Sequence, residues 1–214
     1  MLRTNPVFLS YIERLASGEQ GKGITLKSFE PGTRFIKQGE NIRYVYIISD
    51  GITKAYRTEE NGKDIIFEFL GKGEITGELE AIRKTSCLCN VETITPVTAY
   101  TIPRELFLQL MRNDAELNGM LLEELATRID QTCIRASYQQ VYPIEYGLLR
   151  LLMLQEEQQV FFSKKDMADY LAITIRSFNR TVKQLREKNV LSTEGLHLDL
   201  SPKELDDLLK RFEE

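Results

Sequence analysis

Cysteine is scarce in this sequence: Cys87, Cys89 and Cys133 are the only three in 214 residues. An odd and sparse set gives no disulfide framework. An iron–sulfur cluster usually takes four thiolates, so it too lacks its ligands. Histidine is rarer still. The single His197 offers poor support for haem sensing and is expected to be an ordinary exposed residue. No apolar run approaches the roughly 20 residues that span a bilayer. The opening Met1-Leu2-Arg3-Thr4-Asn5-Pro6 has neither the basic region nor the apolar core of a secretory signal. A cytoplasmic protein with no membrane partner is expected. Missing as well are a P-loop, an HExxH pair and a nucleophile motif, and the glycines fall in turns between strands rather than opening a helix after one. The reading is therefore a protein that is not an enzyme, with no catalytic residues, no metal and no cofactor. The net charge of −4 provides no global attraction to nucleic acid, so any such contact needs a local basic patch.

What is present is an ordinary globular composition, 42% hydrophobic and 28% charged, with length for one large or two modest domains. The stretch that organises the chain is residues 114–140. Leu117, Leu121, Leu125 and Ile129 recur every fourth residue, and Cys133 and Ala136 continue the stripe. That spacing stacks side chains on one helix face. Glu116, Glu123, Glu124, Arg128, Asp130 and Arg135 fall on the other positions. A helix of this length spans roughly 40 Å, more than most globular helices need, and a second copy of the chain is the simplest partner for its middle. Leu117, Leu121, Leu125, Ile129 and Cys133 are the candidate dimer interface.

Before it, residues 6–17 form a short amphipathic helix that Gly18 should end in the left-handed conformation, a lid on the domain that follows. Residues 20–102 change period. Tyr44-Val45-Tyr46-Ile47-Ile48, Thr53-Lys54-Ala55-Tyr56-Arg57, Ile65-Ile66-Phe67-Glu68-Phe69-Leu70 and Val97-Thr98-Ala99-Tyr100-Thr101-Ile102 are short β-branched and aromatic runs punctuated by Gly. Asn61-Gly62 predicts a two-residue hairpin turn, with positive φ at both residues. Close spacing implies an antiparallel roll or barrel. Residues 104–112 should be a short helix. Tyr142-Pro143 breaks the long helix, and residues 147–154, rich in Leu, should supply core to a second domain.

These residues carry a resemblance. Gly32, Ile36 and Gly39-Glu40, the strand into Asp50-Gly51, and Gly73-Glu74-Ile75-Thr76-Gly77-Glu78-Leu79 are similar to the cyclic-nucleotide-binding roll. With the long helix and the motif below, about residues 6–200 resemble the CRP/FNR family of bacterial transcription regulators. The resemblance implies an α+β fold in three parts. Residues 1–113 would be an antiparallel β-roll sensor, 114–141 a dimerisation helix and 142–214 a winged helix-turn-helix. It also implies a homodimer on a pseudo-palindromic duplex DNA operator, with RNA polymerase as a further partner such a regulator can have.

Ser163 should cap a first helix, with Asp166 in the capping-box position. Ala172-Ile173 is the turn, and Thr174 caps a second helix beginning at Ile175. Phe178, Val182 and Leu185 face inward at i, i+4 and i+7, leaving Ile175, Arg176, Ser177, Asn179, Arg180 and Lys183 outward. Arg can pair with guanine and Asn with adenine on two atoms each, while flanking Lys164 and Lys165 would hold phosphates. Thr174 joins them as a candidate DNA contact. From residue 163 to 191 seven basic side chains meet three acidic ones, a local +4 in a chain of −4. Two departures from the family stand out. Ala172 takes the place of a common turn Gly, and Ile175-Arg176 replaces an Arg-Glu pair, although Arg180 matches. The half-site should therefore differ from the family's usual one. Residues 191–200 should form a β-wing around Gly195, and residues 202–212 a closing helix.

In the family, a Gly-Glu-Leu turn and an Arg about ten residues on hold the cyclic nucleotide. Gly77, Glu78 and Leu79 match the turn. At the Arg position stand Cys87-Leu88, and Arg83 and Lys84 come several residues early. A buried phosphate without its Arg partner is costly, so cyclic AMP is not expected. Gly77, Glu78, Leu79 and Arg83 are the candidate residues for some other small effector. Cys87 and Cys89 could form a thiol sensor or a soft metal pair, or serve simply as core, and Cys133 is expected to pack. A ligand-binding or protein-interaction module without DNA binding stays open as the alternative.

Overall fold

The computed structural model describes residues 2–213. The chain divides into two compact units, Leu2–Thr127 and the residues from Arg128 onward. In chain order the first unit holds β1 (Leu2–Arg3), α1 (Pro6–Ser17), β2 (Thr25–Phe29), β3 (Arg34–Ile36), β4 (Tyr44–Asp50), β5 (Thr53–Thr58), β6 (Asp64–Leu70), β7 (Ile75–Thr76), α2 (Glu78–Arg83), β8 (Asn90–Thr93), β9 (Val97–Pro103), α3 (Arg104–Asn113) and the start of α4 (Ala115–Val141). The second holds the rest of α4, then α5 (Ile144–Gln158), α6 (Lys164–Tyr170), α7 (Ile175–Glu187) and α8 (Pro202–Glu213).

The strands form two sheets, ordered β1-β6-β5-β8-β3 and β2-β9-β4-β7. Neighbours run antiparallel except β1, which joins the edge of β6 in parallel. Alternate residues of β9 (Val97, Ala99, Thr101) are buried, as the period-two pattern requires. Ile36, Tyr46, Ala55, Leu70, Cys87 and Val91 form one core cluster. A larger one joins Phe8, Leu9 and Ile12 of α1 to Val45, Ile47, Ile75, Ile102, Phe107 and Leu110. Each such side chain contributes about 1.5–3 kcal/mol on burial, so α1 is part of the core rather than a lid over it. Asn5 starts α1 by accepting from the Phe8 N–H at 3.0 Å, with Pro6 at the first position, where its missing N–H costs nothing.

Several local expectations are corrected. Gly18 ends α1 in extended backbone, φ −95°, not left-handed. The turn from β5 to β6 takes five residues, 59–63, and only Gly62 is left-handed, at φ 77°. The Gly62 N–H donates to Glu59 O at 2.9 Å and the Glu59 N–H to Lys63 O at 2.8 Å. Asn61 instead accepts from the Lys63 N–H through its side chain at 3.1 Å, the alternative use of Asn in turns. On α4, Glu124 and Arg135 are buried rather than solvated, because each meets a distant partner described below.

In the second unit Tyr146, Leu148, Leu149, Leu151 and Leu152 of α5 are buried with Met167, Phe178, Val182 and Leu185, and α5 packs on α7 and α8. The expected wing is reduced to one antiparallel bridge, Leu191 with Leu198. Its carbonyls go elsewhere. Arg186 donates to Ser192 O at 3.0 Å and to Gly195 O at 2.6 Å. No helix among the described residues is long and apolar enough to cross a membrane.

Candidate nucleic-acid interface

Two side-chain caps set the helix-turn-helix. Ser163 Oγ accepts from the Asp166 N–H at 3.0 Å and donates to Asp166 Oδ2 at 2.6 Å. The Asp carboxylate thus takes the Ser hydroxyl, whereas a one-methylene-longer Glu would reach back to the backbone. Thr174 Oγ1 accepts from the Ser177 N–H at 3.1 Å, and the two hydroxyls also meet at 3.1 Å. Both are therefore engaged in capping. Between the helices Ala172 adopts φ +56°, the left-handed conformation that explains why a Gly suits this position.

On α7, Phe178, Val182 and Leu185 face the core as their spacing predicts, while Ile175, Arg176, Asn179, Arg180 and Lys183 are exposed. Lys183 lies 3.7 Å from Glu187 and Lys165 2.5 Å from Asp169, exposed pairs that hold each cation only weakly. Among the described residues, Lys164, Arg176 and Arg180 make no such pair. Arg186, counted in the basic tally, is spent on the wing carbonyls. α4 reaches this unit through Arg135, whose guanidinium lies 3.8 Å from the Tyr170 ring centroid and donates to Tyr170 O. Gln139 donates to the same carbonyl at 3.0 Å. The last turn of α6 is thereby fixed to α4, a link that periodicity alone does not reveal.

The candidate interface residues of α4 separate. Leu117 and Leu121 are each 1% exposed and belong to the core of their own unit, with Leu125 packed partly against it. Leu117 and Leu121 are thereby unavailable to a second chain. Ile129 and Cys133 are exposed on the single chain. With Leu122, Ala126 and Ala136, also exposed, they share one helix face at three- and four-residue steps.

The expected effector residues sit at the start of α2. Gly77 caps it at φ 88°, and a Cβ there would lie 3.1 Å from both Ile42 Cδ1 and Tyr44 O. Glu78 is buried, whereas Leu79 and Arg83 are exposed. Where a phosphate-pairing Arg would stand, Leu88 is 52% exposed and its N–H donates to Glu80 Oε1 at 3.1 Å. A carboxylate occupies the neighbourhood that a cyclic phosphate needs cationic, so these residues do not fit that ligand. Burial, reinforced by Glu80, pushes the Cys87 thiol up to about 11 and the Cys89 thiol up to about 12, far from the thiolate a redox sensor uses. Beside Cys87 the roll opens a cleft of about 620 Å³, lined also by Phe35, Lys37, Glu40, Arg43, Tyr44 and Tyr46.

A further cluster escaped the sequence reading. Arg3 donates from Nε to Glu74 Oε2 at 3.0 Å, lies 3.6 Å from Glu68 Oε2, and pairs through Nη2 with Glu124. Asn5 also donates to Glu124, at 2.8 Å.

Residues 26–114 match the cyclic nucleotide-binding domain family. The chain is 26% identical over 175 residues to the Probable transcriptional regulator flp of Lacticaseibacillus casei, covering 79% of this chain and 80% of that one. It is 21% identical over 173 residues to the cAMP-activated global transcriptional regulator CRP of Salmonella typhimurium, covering 75% and 81%. Its fold is similar to that of the c-di-GMP responsive global regulator CLP of Xanthomonas campestris, at a TM-score of 0.76 and 18% identity over 90% of this chain and 99% of that one. These relatives are named as transcription regulators, and the fold they share with this chain is a cyclic nucleotide-binding roll followed by a helical domain. The chain resembles the CRP/FNR family, to which solved structures of similar fold belong.

Proposed function

We propose that the chain acts as a homodimer that binds duplex DNA in sequence-specific fashion through α7, and that it is not an enzyme. The observation that carries this reading is the face of α7. A side-chain-capped N-terminus projects Arg176, Asn179 and Arg180 from a segment of local +4, and these are the side-chain types that pair with base edges. The exposed stripe of Leu122, Ala126, Ile129, Cys133 and Ala136 supports pairing along α4. Two α7 helices related by a two-fold axis would then read half-sites about one DNA turn apart. The controlling effector, if a small molecule, is something other than cyclic AMP, because a carboxylate and Leu88 stand where its phosphate partner belongs. Differential affinity of that effector for two arrangements of the dimer would set DNA binding.

The test is titration of the full chain against promoter fragments and random duplex across a salt series. A steep slope and a preference for particular fragments are expected. Equal, salt-insensitive binding, or none, would reduce the chain to a ligand-binding or protein-interaction module.

A further inference from the structure

We infer that Ile175 is a base-reading residue that recognises the C5-methyl group of a thymine. This deepens the reading of α7 as the recognition helix and rests on it. Ile175 is the first residue of α7 and is 48% exposed. A lone exposed apolar side chain is common on protein surfaces; the neighbours make this one different. Thr174 holds the cap immediately before it, and the exposed residues beyond it are Arg176, Asn179 and Arg180. The first turn contains no acidic residue, although an acidic side chain there would favour the helix. An acidic residue would also repel a phosphate backbone, and an aliphatic one does not.

The chemistry of the partner follows from the groove. Along the major-groove edges the bases present hydrogen-bond donors and acceptors, and the apolar group among them is the thymine methyl. A β-branched Ile in a helix is held almost entirely in one rotamer, so its methyls are positioned before contact and lose little freedom on binding. Ile175 and Asn179 are four residues apart and lie one above the other on the same face. Arg176 and Arg180 form a second row beside them. Asn pairs with adenine through N6 and N7, and Arg with guanine through O6 and N7. The first row therefore suits neighbouring A·T pairs, with the thymine under Ile175, and the second suits an adjoining guanine. A cation at position 175 would have asked for a guanine; an isoleucine asks for a methyl.

The experiment begins by selecting binding sites from a random duplex library with the full-length protein. Each thymine of one selected half-site is then replaced singly by deoxyuridine, which removes the methyl and leaves base pairing unchanged. Affinities are measured by fluorescence anisotropy for the wild type, Ile175→Ala and Ile175→Val. One position is expected at which deoxyuridine weakens the wild type roughly fourfold, the worth of one buried methyl-sized group. Ile175→Ala should be weakened there by less than about twofold, while Ile175→Val keeps most of the sensitivity. A selected site with no methyl-sensitive thymine, or one equally sensitive in Ile175→Ala, overturns the assignment and leaves α7 as the recognition helix. If no motif emerges above random duplex, the recognition-helix reading fails and takes this assignment with it. Because the side chain is exposed, unchanged circular dichroism of each variant should accompany the binding result.

Discussion

Arg3 and Glu74 are 71 residues apart in sequence and joined at 3.0 Å, from Nε to Oε2. Arg3 is 6% exposed and Glu74 1%. The same guanidinium reaches Glu68 on β6 and Glu124 on α4, so one side chain from an edge strand gathers carboxylates from the roll and the long helix. Taking one member from a buried charge pair costs about 3–5 kcal/mol, because the remaining charges lose a compensating partner. Arg3→Met should destabilise the chain by about that amount, seen as a lower urea midpoint. A loss under about 1 kcal/mol would mean that the network is only loosely formed in solution.

Asp114 accepts a hydrogen bond from the Tyr11 hydroxyl and caps α4 by accepting from the Leu117 N–H at 3.0 Å. The Tyr11 bond, then the backbone bonds, hold its carboxyl below the usual 3.8. A carboxyl whose folded pKa is depressed contributes stability that is fully present above the unfolded value and is lost as pH falls through the folded one. Stability should therefore decline below about pH 4, and Asp114→Asn should flatten that part of the curve while costing about 1 kcal/mol at neutral pH. Parallel acid profiles for the two proteins would remove Asp114 from the account.

Ala172 stands in the left-handed region at φ +56°, a conformation that burdens any residue with a Cβ by roughly 1–2 kcal/mol. Ala172→Gly relieves it, and the greater freedom of Gly in the unfolded chain offsets part of the gain. A net rise of about 0.5–1 kcal/mol is expected in chemical denaturation. A less stable variant would show that the turn relaxes in solution.

Arg180 and Lys164 are expected to act differently on DNA. Arg180→Ala should weaken specific binding by about 1–3 kcal/mol and relax selectivity, while Lys164→Ala should weaken all sequences alike and reduce the salt slope by about one. Equal losses on cognate and random duplex for both variants would contradict the division between base reading and phosphate contact.

Ile129 is 66% exposed midway along α4. If copies pair there, Ile129→Glu buries a charge at the contact and should convert the dimer to monomer in sedimentation velocity. A variant that sediments like the wild type would place any dimer contact elsewhere.

What could be read in advance was what adjacent residues settle between themselves. Ser163 and Thr174 cap helices whose N–H groups lie three residues on, and Phe178, Val182 and Leu185 share a face because the helix period places them there. The resemblance pointed to a roll followed by a helical domain, since glycine turns and hydrophobic periods survive in the chain itself. Tertiary contact decided the rest. Leu117 and Ile129 belong to one stripe by period, yet α1 and α3 cover the first and leave the second exposed. Asn61 could have taken positive φ, but the five-residue connection assigned that conformation to Gly62 alone. Glu124 and Arg135 look like solvated charges in sequence. They are buried because Arg3 and Tyr170, 121 and 35 residues away, meet them in space, and pairings at such separation leave no periodic trace.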